Sequence, residues 1–300
     1  MEVSDNKQAR SLYARKAYAD AFGFGSIDVG EWRTALLVRP IPRSDWRDAL
    51  GCYPLALLDR NADLKAGLEQ LRAAKLVSVA LVPDPLTGPS EKNLAAAFEI
   101  CRPFKMHYAI DREAGAIRFS TTHRRWIRKA LRLCAIEPVE LRDTLGDWKR
   151  LYAHAVARHE ISDVQNFAPS YFDALAKMPE VSAFAARNAG NIVAMALWVR
   201  SGNIAYYHLG ASAPEGYEAQ AMYGIIASAI DYFSDCGVLH LGGAAGISGK
   251  EDDGLAYFKK GFANRAVEAY FCGACLDSDR YAILTKNRAA TSFFPAYRER

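Results

Sequence analysis

Long apolar runs are absent from this chain of 300 residues. No stretch approaches the roughly 18 uncharged apolar residues that a membrane-spanning helix needs, so we expect no membrane span. The basic residues near the N-terminus are mixed with acidic ones, and no apolar segment follows them. This pattern argues against a signal peptide. We therefore expect a cytoplasmic protein.

Cysteine is scarce and irregularly spaced, with six residues that form no framework. In a chain of this length such cysteines indicate reduced thiols rather than disulfides. Cys272 and Cys275 form a Cys-x-x-Cys pair, but a second pair, which a zinc site of this type requires, is missing. We expect no metal site and interpret the pair as unrelated buried thiols.

The composition is that of a folded α/β protein. Hydrophobic residues make up 51% of the chain and charged residues 24%, and 300 residues suffice for two ordinary domains. The net charge of +4 is too small to argue for nucleic acid by itself. A strand, helix and strand rhythm at residues 32–38, 63–75 and 77–82 predicts an α/β layer.

The second half of the chain repeats this rhythm. Strands are predicted at 192–199, 204–209 and 238–241, and a long buried helix is predicted over 219–233. We place the boundary between two domains near Pro138, which divides the chain into residues 1–138 and 139–300.

The most basic helix of the chain is predicted at residues 122–134. No acidic residue lies between Glu113 and Glu137, and the apolar face is assigned to Ile127, Ala130, Leu131 and Cys134. The basic side chains form a candidate substrate-binding face that would contact tRNA phosphates or an anionic acceptor such as a nucleotide sugar. The alternative is an ordinary solvated surface helix. The candidate binding residues are Arg124, Arg125, Arg128 and Lys129.

A glycine-rich loop over residues 242–249 follows the last predicted strand of this repeat. It is not a Walker A loop, because Lys250 is followed by Glu251 where a Ser or Thr must hold magnesium. After the loop comes a short helix with the sequence Phe258-Lys259-Lys260-Gly261-Phe262.

These motifs resemble the C-terminal GNAT domain of the FemAB-like transferases. The resemblance rests on Tyr206-Tyr207-His208, on His240-Leu241-Gly242-Gly243 and on the Phe-Lys-x-Gly-Phe stretch that begins at Phe258. It covers residues 100–275 well and residues 1–100 only in layout. It implies an α/β protein of two GNAT-like domains, each with a mixed central sheet flanked by helices. It further implies transfer of an acyl or aminoacyl group to an amine, in cell-envelope or polysaccharide synthesis.

The resemblance also implies site residues. Phe258 and Lys259 match a pair that borders the reacting carbonyl, and Tyr206 and Tyr207 match a strand that lines the substrate channel. Lys259 would stabilise an oxyanion or contact a donor phosphate, while Tyr207 or His208 would orient the amine or accept its proton. Further candidates for substrate binding are Gly242, Gly243, Asp252 and Asp253, the last two as ligands of an ammonium group.

Each of these residues also has a purely structural interpretation. Lys259 would otherwise be a solvated helix lysine, and His208 fits a buried histidine whose hydrogen bonds are satisfied. Because successive strand side chains point to opposite faces, only one of Tyr206 and Tyr207 should face the site.

One departure from the GNAT pattern concerns the donor. An acetyl-CoA-binding GNAT usually opens its long helix with an Arg/Gln-x-x-Gly-x-Gly/Ala loop whose amides bind pyrophosphate. The corresponding residues 215–222 lack this spacing and contain Glu215 and Glu218, which would repel a pyrophosphate. This counts against ordinary acetyl-CoA use.

We therefore expect no tightly bound cofactor, with acyl-CoA or aminoacyl-tRNA as co-substrate. The acceptor would be an amine on a sugar or a peptidoglycan precursor. Two alternatives stay open: a plain GNAT N-acetyltransferase that acts on an amino-sugar, and a catalytically degenerate GNAT pair that binds RNA or a protein partner.

Overall fold

The computed structural model describes residues 10–159, 166–244, 254–289 and 291–299. The chain forms two compact units. The first combines the chain up to Asp20 with Phe24–Arg102 and the residues from Tyr270 onward, and the second combines Ala21–Gly23 with Pro103–Ala269. The sequence placed a boundary near Pro138, whereas the units divide at Arg102 and again at Tyr270.

The first unit is built on a mixed sheet. Neighbouring strands β1 to β3 are antiparallel, β3 and β4 are parallel, and β4 pairs antiparallel with the C-terminal part of β11. The strands are β1 (Gly25–Val29), β2 (Thr34–Pro40), β3 (Arg47–Gly51), β4 (Ser78–Leu81) and β11 (Arg265–Cys275). The α-helices are α1 (Lys16–Asp20), α2 (Leu64–Ala73), α3 (Glu91–Ala97) and α10 (Ser278–Thr285).

Strand β3 corrects the prediction for this unit. The strand, helix and strand rhythm was assigned to β2, α2 and β4, but α2 connects the parallel strands β3 and β4. β3 is short and carries Asp48, whose side chain is buried and pairs with Arg39 and Arg298. A buried carboxylate in a short strand breaks the apolar pattern that identifies strands, and one of its partners, Arg298, is distant in the chain.

The second unit contains a mixed sheet in the order β5-β10-β9-β8-β7-β6. Strands β6 to β9 are antiparallel neighbours, β9 and β10 are parallel, and β10 and β5 are antiparallel. The strands are β5 (Ile100–Asp111), β6 (Ala135–Val139), β7 (Val181–Asn188), β8 (Asn191–Ser201), β9 (Ile204–Ser212) and β10 (Val238–Gly243). The α-helices are α4 (Thr121–Leu133), α5 (Leu145–His159), α6 (Pro169–Leu175), α7 (Pro214–Ala219), α8 (Ala221–Tyr232) and α9 (Gly254–Lys260).

Each unit therefore has the predicted architecture of a mixed sheet flanked by helices, and the α/β fold class is confirmed. In the second unit α8 connects the parallel strands β9 and β10 and packs its apolar side chains into the core beside Trp198 and Phe233. Among the described residues, no helix is both long enough and apolar enough to cross a membrane.

The long helix predicted over 219–233 is interrupted at its start. Gln220 has a left-handed backbone with φ of 58°, and it separates α7 from α8. The apolar periodicity predicted α8 correctly but began the helix two residues too early, at the end of α7.

Most of the predicted apolar face of helix α4 is confirmed, since Ala130 and Cys134 are buried and Ile127 packs against the core. Leu131 was assigned to its apolar face but is 52% exposed, whereas His123 and Ala130 are buried. α4 crosses α8 where Ala130 meets Gly224, so closely that a Cβ at Gly224 would lie 2.9 Å from the Cβ of Ala130. This close crossing of two small residues determines which side of α4 is buried.

Candidate functional site

The carboxyl end of β10 departs from regular strand geometry. The pairing of β10 with β5 shifts register between His240 and Gly242, which makes a β-bulge. Gly242 has φ of +77°, a conformation that favours glycine. Bulges are common beside active sites because they redirect the end of a strand. Here the bulge presents the carbonyl of Gly243 to helix α9.

Lys259 lies against this bulge and not in bulk solvent. Its side chain is buried, with 7% of the residue exposed. The Nζ atom donates a hydrogen bond of 2.6 Å to the Gly243 carbonyl and lies 5.6 Å from the centroid of the Tyr207 ring. Both predicted glycines, Gly242 and Gly243, are therefore within the surroundings of the lysine. Asp252 and Asp253 lie outside the described residues.

A second lysine holds the next carbonyl of the same strand end. Lys105 of β5 donates from Nζ to the carbonyl of Ala244 over 3.0 Å. Two ammonium groups thus contact consecutive backbone carbonyls at the end of β10, and they concentrate positive charge there. Sequence reasoning did not identify Lys105, since nothing in a lone strand lysine indicates its cross-strand position.

The two adjacent tyrosines of β9 have different surroundings. Tyr207 is half-buried, its ring faces Lys259, and its hydroxyl lies 3.7 Å from the sulfur of Met222. Tyr206 is buried and packs edge-on against His240, with ring centroids 5.4 Å apart. Of the predicted pair, Tyr207 is the one that the structure places beside Lys259.

His208 has the environment of a structural histidine. It is buried, and its Nε2 atom lies 2.9 Å from the hydroxyl of Tyr171. Burial lowers the pKa of His208 from 6.5 to about 3. A neutral imidazole enclosed in this way is poorly suited to receive a proton from a substrate amine, so Tyr207 is the better supported of the two candidates.

A buried pair of histidines lies beside the bulge and was not predicted. Nδ1 of His107 is 3.1 Å from Nε2 of His240, and the two rings stack with centroids 5.1 Å apart. Burial lowers the pKa of His107 well below 6.5, and His240 and the cations Lys259 and Lys105 lower it further. The one available signal was the position of His240 directly before Leu-Gly-Gly.

Phe258 and His123 connect α9 to α4. The carbonyl of Phe258 accepts a hydrogen bond of 2.8 Å from Nε2 of His123, and the Phe258 ring packs edge-on against Tyr223. His123 lies among the basic residues of α4 and was not predicted as a site residue. Its position follows from the contact between two helices that are separated by more than a hundred residues.

The predicted cations of α4 point away from the core. Arg124, Arg125 and Arg128 are exposed, and Lys129 is half-buried. Arg125 and Lys129 flank the ring of Trp126, at 4.4 and 5.4 Å from its centroid. Within the described parts of the chain, none of these four cations forms an ion pair with a carboxylate. With respect to the described residues, the helix therefore presents positive charge that no carboxylate pairs with.

The segment before α8 differs from a pyrophosphate loop. Residues 214–219 form α7, and its backbone approaches β8 so closely at Gly216 that an added Cβ would overlap the carbonyl of Val193. The amides of Tyr217, Gln220 and Tyr223 all donate to backbone carbonyls. These amides are consequently engaged within the protein, and the exposed Glu215 and Glu218 lie on the same turn.

The described residues contain no group of three or more His, Cys, Asp or Glu side chains that could hold a metal ion. Cys272 and Cys275 are both free, the first buried and the second half-buried. Burial raises the pKa of each thiol, which disfavours the thiolate that metal ligation requires.

Comparison with known proteins places this site in a family context. Residues 118–245 match the model of the acetyltransferase (GNAT) domain. The chain is similar in fold to the crystal structure of FemX, with a TM-score of 0.60 and 16% identity over 83% of this chain and 86% of that chain. No curated protein matches the chain in sequence.

Two further solved structures share the fold. One is the C-terminal domain of a protein assigned as a lysylphosphatidylglycerol synthetase from Agrobacterium fabrum, with a TM-score of 0.61 and 15% identity over 91% of each chain. The other is L-PGS from Bacillus licheniformis, with a TM-score of 0.55 and 11% identity over 90% of this chain and 94% of that chain. At these identities the likeness is one of fold, and the predicted GNAT-like α/β fold is confirmed.

Proposed function

Because the second unit carries a GNAT acetyltransferase-type domain and the chain has the fold of FemX, we propose that the protein transfers an acyl or aminoacyl group from an activated donor to an amine. The donor is an aminoacyl-tRNA or an acyl-CoA, and the acceptor is an amine on a sugar or a peptidoglycan precursor. The product belongs to cell-envelope or polysaccharide synthesis, and the reaction takes place in the cytoplasm.

The position of Lys259 is the observation that carries this proposal. An ester or thioester is already activated, so the enzyme must hold donor and amine together and stabilise the oxyanion of the tetrahedral intermediate. Lys259 provides a cation that the Gly243 carbonyl holds in a fixed direction over 2.6 Å. A positive charge in a buried, preoriented position interacts more strongly with a developing oxyanion than a solvated one does.

Tyr207 is proposed to orient the acceptor amine beside Lys259. Its ring faces the lysine, and its half-buried position leaves part of the side chain accessible. The paired histidines behind the bulge would keep the neighbouring strand ends rigid without adding positive charge, because burial and the adjacent cations favour the neutral imidazole of His107.

Two observations favour an aminoacyl-tRNA over acetyl-CoA as the donor. The amides of Tyr217 and Gln220 before α8 and of Tyr223 in its first turn are engaged, and the segment carries two carboxylates, which is unfavourable for a pyrophosphate. The exposed cations of α4 suit a polyanion such as RNA. The name of the A. fabrum neighbour refers to a lysyl group, which is an aminoacyl group, and this agrees with an aminoacylated donor.

The proposal is tested by transfer assays with matched variants. Purified protein is incubated with a panel of charged tRNAs, acyl-CoAs and amine acceptors, and products are identified by mass spectrometry. Lys259→Met should reduce the transfer rate by about 10²- to 10³-fold, the usual cost of losing one oxyanion-stabilising group. Lys260→Met is the control, since Lys260 is the exposed neighbour on the same helix.

The outcomes separate the three functions. Transfer at the wild-type rate by Lys259→Met would remove Lys259 from the mechanism. Release of free CoA from acetyl-CoA with an amino-sugar would favour the plain N-acetyltransferase. Tight and salt-sensitive tRNA binding without any product would favour the degenerate RNA-binding pair.

A further inference from the structure

We propose that His123 is a positioning residue that fixes the Phe258–Lys259 segment of α9 to the basic helix α4. This inference rests on the proposed function, because it assigns His123 a role in aligning Lys259. The cations that would bind the donor and the lysine that would act on its carbonyl then belong to one rigid assembly.

The hydrogen bonds of His123 define its tautomer. The Phe258 carbonyl can only accept, so Nε2 of His123 carries the proton and donates over 2.8 Å. Nδ1 therefore accepts from the hydroxyl of Ser120 over 2.8 Å, while the Ser120 oxygen accepts from the backbone N–H of His123 over 3.2 Å. Burial lowers the pKa of His123 and favours this neutral form. Both ring nitrogens are thus engaged.

The carbonyl that His123 contacts lies at a helix end. The last carbonyls of an α-helix have no partner within the helix and need another donor. Near the end of α9, the amides of Phe262 and Ala263 both donate to the carbonyl of Lys259, and the amide of Gly261 donates to Tyr257. His123 supplies a donor to the intervening carbonyl of Phe258. His123 therefore provides the hydrogen bond that the carbonyl directly before Lys259 needs at the helix end.

The packing around the imidazole depends on Gly261. A Cβ at Gly261 would overlap the His123 ring, so only glycine leaves room for the histidine. The rings of Phe262 and Tyr223 contact the imidazole edge-on, with centroids 4.8 and 5.0 Å away. The glycine of the Phe-Lys-x-Gly-Phe stretch thus has a physical reason, which is the space that His123 occupies.

The test compares two substitutions that differ only in the donor. His123→Gln and His123→Met both lose the bond to Ser120, but glutamine keeps an N–H near the position of Nε2. His123→Met should reduce kcat by about 10- to 100-fold, the cost of a misplaced reacting group, and should leave the KM of the donor nearly unchanged. His123→Gln should recover most of the lost kcat. Equal impairment of the two variants would overturn the proposal.

A second measurement does not depend on transfer. Amine labelling followed by mass spectrometry reports the accessibility of Lys259, with the exposed Lys260 as an internal reference. His123→Met should raise the labelling rate of Lys259 relative to Lys260 by about tenfold, which corresponds to a free energy of opening of the α9 end about 1.4 kcal/mol lower than in wild type. His123→Gln should leave this ratio unchanged. An unchanged ratio in His123→Met would contradict the positioning role even if no substrate is found.

A third measurement uses the wild-type protein alone, so it remains decisive if a variant fails to fold. Nitrogen NMR of the imidazoles should show His123 neutral at neutral pH, with its proton on Nε2, because burial lowers the pKa of His123. Protonation at Nδ1 would break the proposed bond to Phe258 and overturn the inference. Absence of transfer with every donor, combined with the expected labelling, would remove the proposed function and leave the positioning of Lys259 intact.

Discussion

Nδ1 of His107 lies 3.1 Å from Nε2 of His240, and the two rings stack inside the second unit. The shared hydrogen bond makes the stability contributions of the two residues interdependent. His107→Leu and His240→Leu should each lower the free energy of unfolding by about 1–3 kcal/mol, because each leaves the other buried imidazole without this partner. The double substitution should cost clearly less than the sum. Urea unfolding of the wild type, the two single variants and the double variant gives the coupling free energy. If the two single losses of unfolding free energy add up to that of the double variant within about 0.5 kcal/mol, the pair is not coupled.

His208 should make the protein sensitive to acid. Its pKa is about 3 in the folded state against an ordinary 6.5, so below pH 6.5 the unfolded chain takes up a proton that the folded chain does not. Stability is fully retained above pH 6.5 and is lost as the pH falls from 6.5 towards 3, by at most about 1.4 kcal/mol per pH unit for this residue.

His208→Gln should flatten this dependence, because glutamine can still accept from the Tyr171 hydroxyl but does not titrate. Thermal unfolding at a series of pH values between 7 and 4 measures the slope. The exposed His154→Gln is the control and should leave it unchanged. Equal slopes in wild type and His208→Gln would rule out His208 as a source of the acid sensitivity.

Gly210 should control the position of Tyr207. A Cβ at Gly210 would overlap the Tyr207 hydroxyl, so Gly210→Ala must displace the ring that faces Lys259. We expect a loss of transfer activity of about tenfold or more, since small displacements of substrate-positioning groups are costly. Gly146→Ala is the control, because Gly146 lies in α5 with nothing near its Cβ position. Steady-state kinetics of the two variants measure this effect. Equal transfer activities of Gly210→Ala and Gly146→Ala would count against a role for Tyr207.

Charge reversal on α4 should weaken polyanion binding. Arg124→Glu with Arg128→Glu removes two exposed cations, and tRNA affinity should fall by about 10- to 100-fold at low salt. The slope of log Kd against log salt concentration should decrease by about 2, one for each phosphate contact that is lost. Lys65→Glu with Lys177→Glu changes the net charge equally at exposed positions elsewhere. If both double variants bind alike, α4 is a solvated surface helix.

Elements with a regular apolar period were predictable from sequence. Strands β8 and β9 and the body of α8 follow the pattern because their side chains fill a single core around Trp198 and Phe233. The pattern failed where a buried polar residue takes the place of an apolar one and is stabilised by ion pairs, as Asp48 in β3 is by Arg39 and Arg298. On α4 it identified Ile127, Ala130 and Cys134 correctly but not Leu131, which is exposed beside the crossing of Ala130 and Gly224.

The candidate site was predictable only where a motif identifies it. The Phe-Lys-x-Gly-Phe resemblance directed attention to Lys259, and the structure places it beside Tyr207, Gly242 and Gly243. Lys105, His107 and His123 belong to no motif. Their positions depend on the register of β5 against β10 and on the contact of α4 with α9, which are properties of tertiary structure.

The first unit is discontinuous in the chain, and this has a consequence for synthesis on a ribosome. Its strand β4 pairs with the end of β11, and Asp48 is neutralised in part by Arg298, a residue near the C-terminus. Almost the whole second unit is translated before either partner emerges. The segment that carries Asp48 and β4 must therefore wait, with an incompletely paired aspartate and an unpaired strand edge, until residues 272–298 are translated. A nascent chain that stalls after residue 269 should therefore expose a segment that chaperones bind.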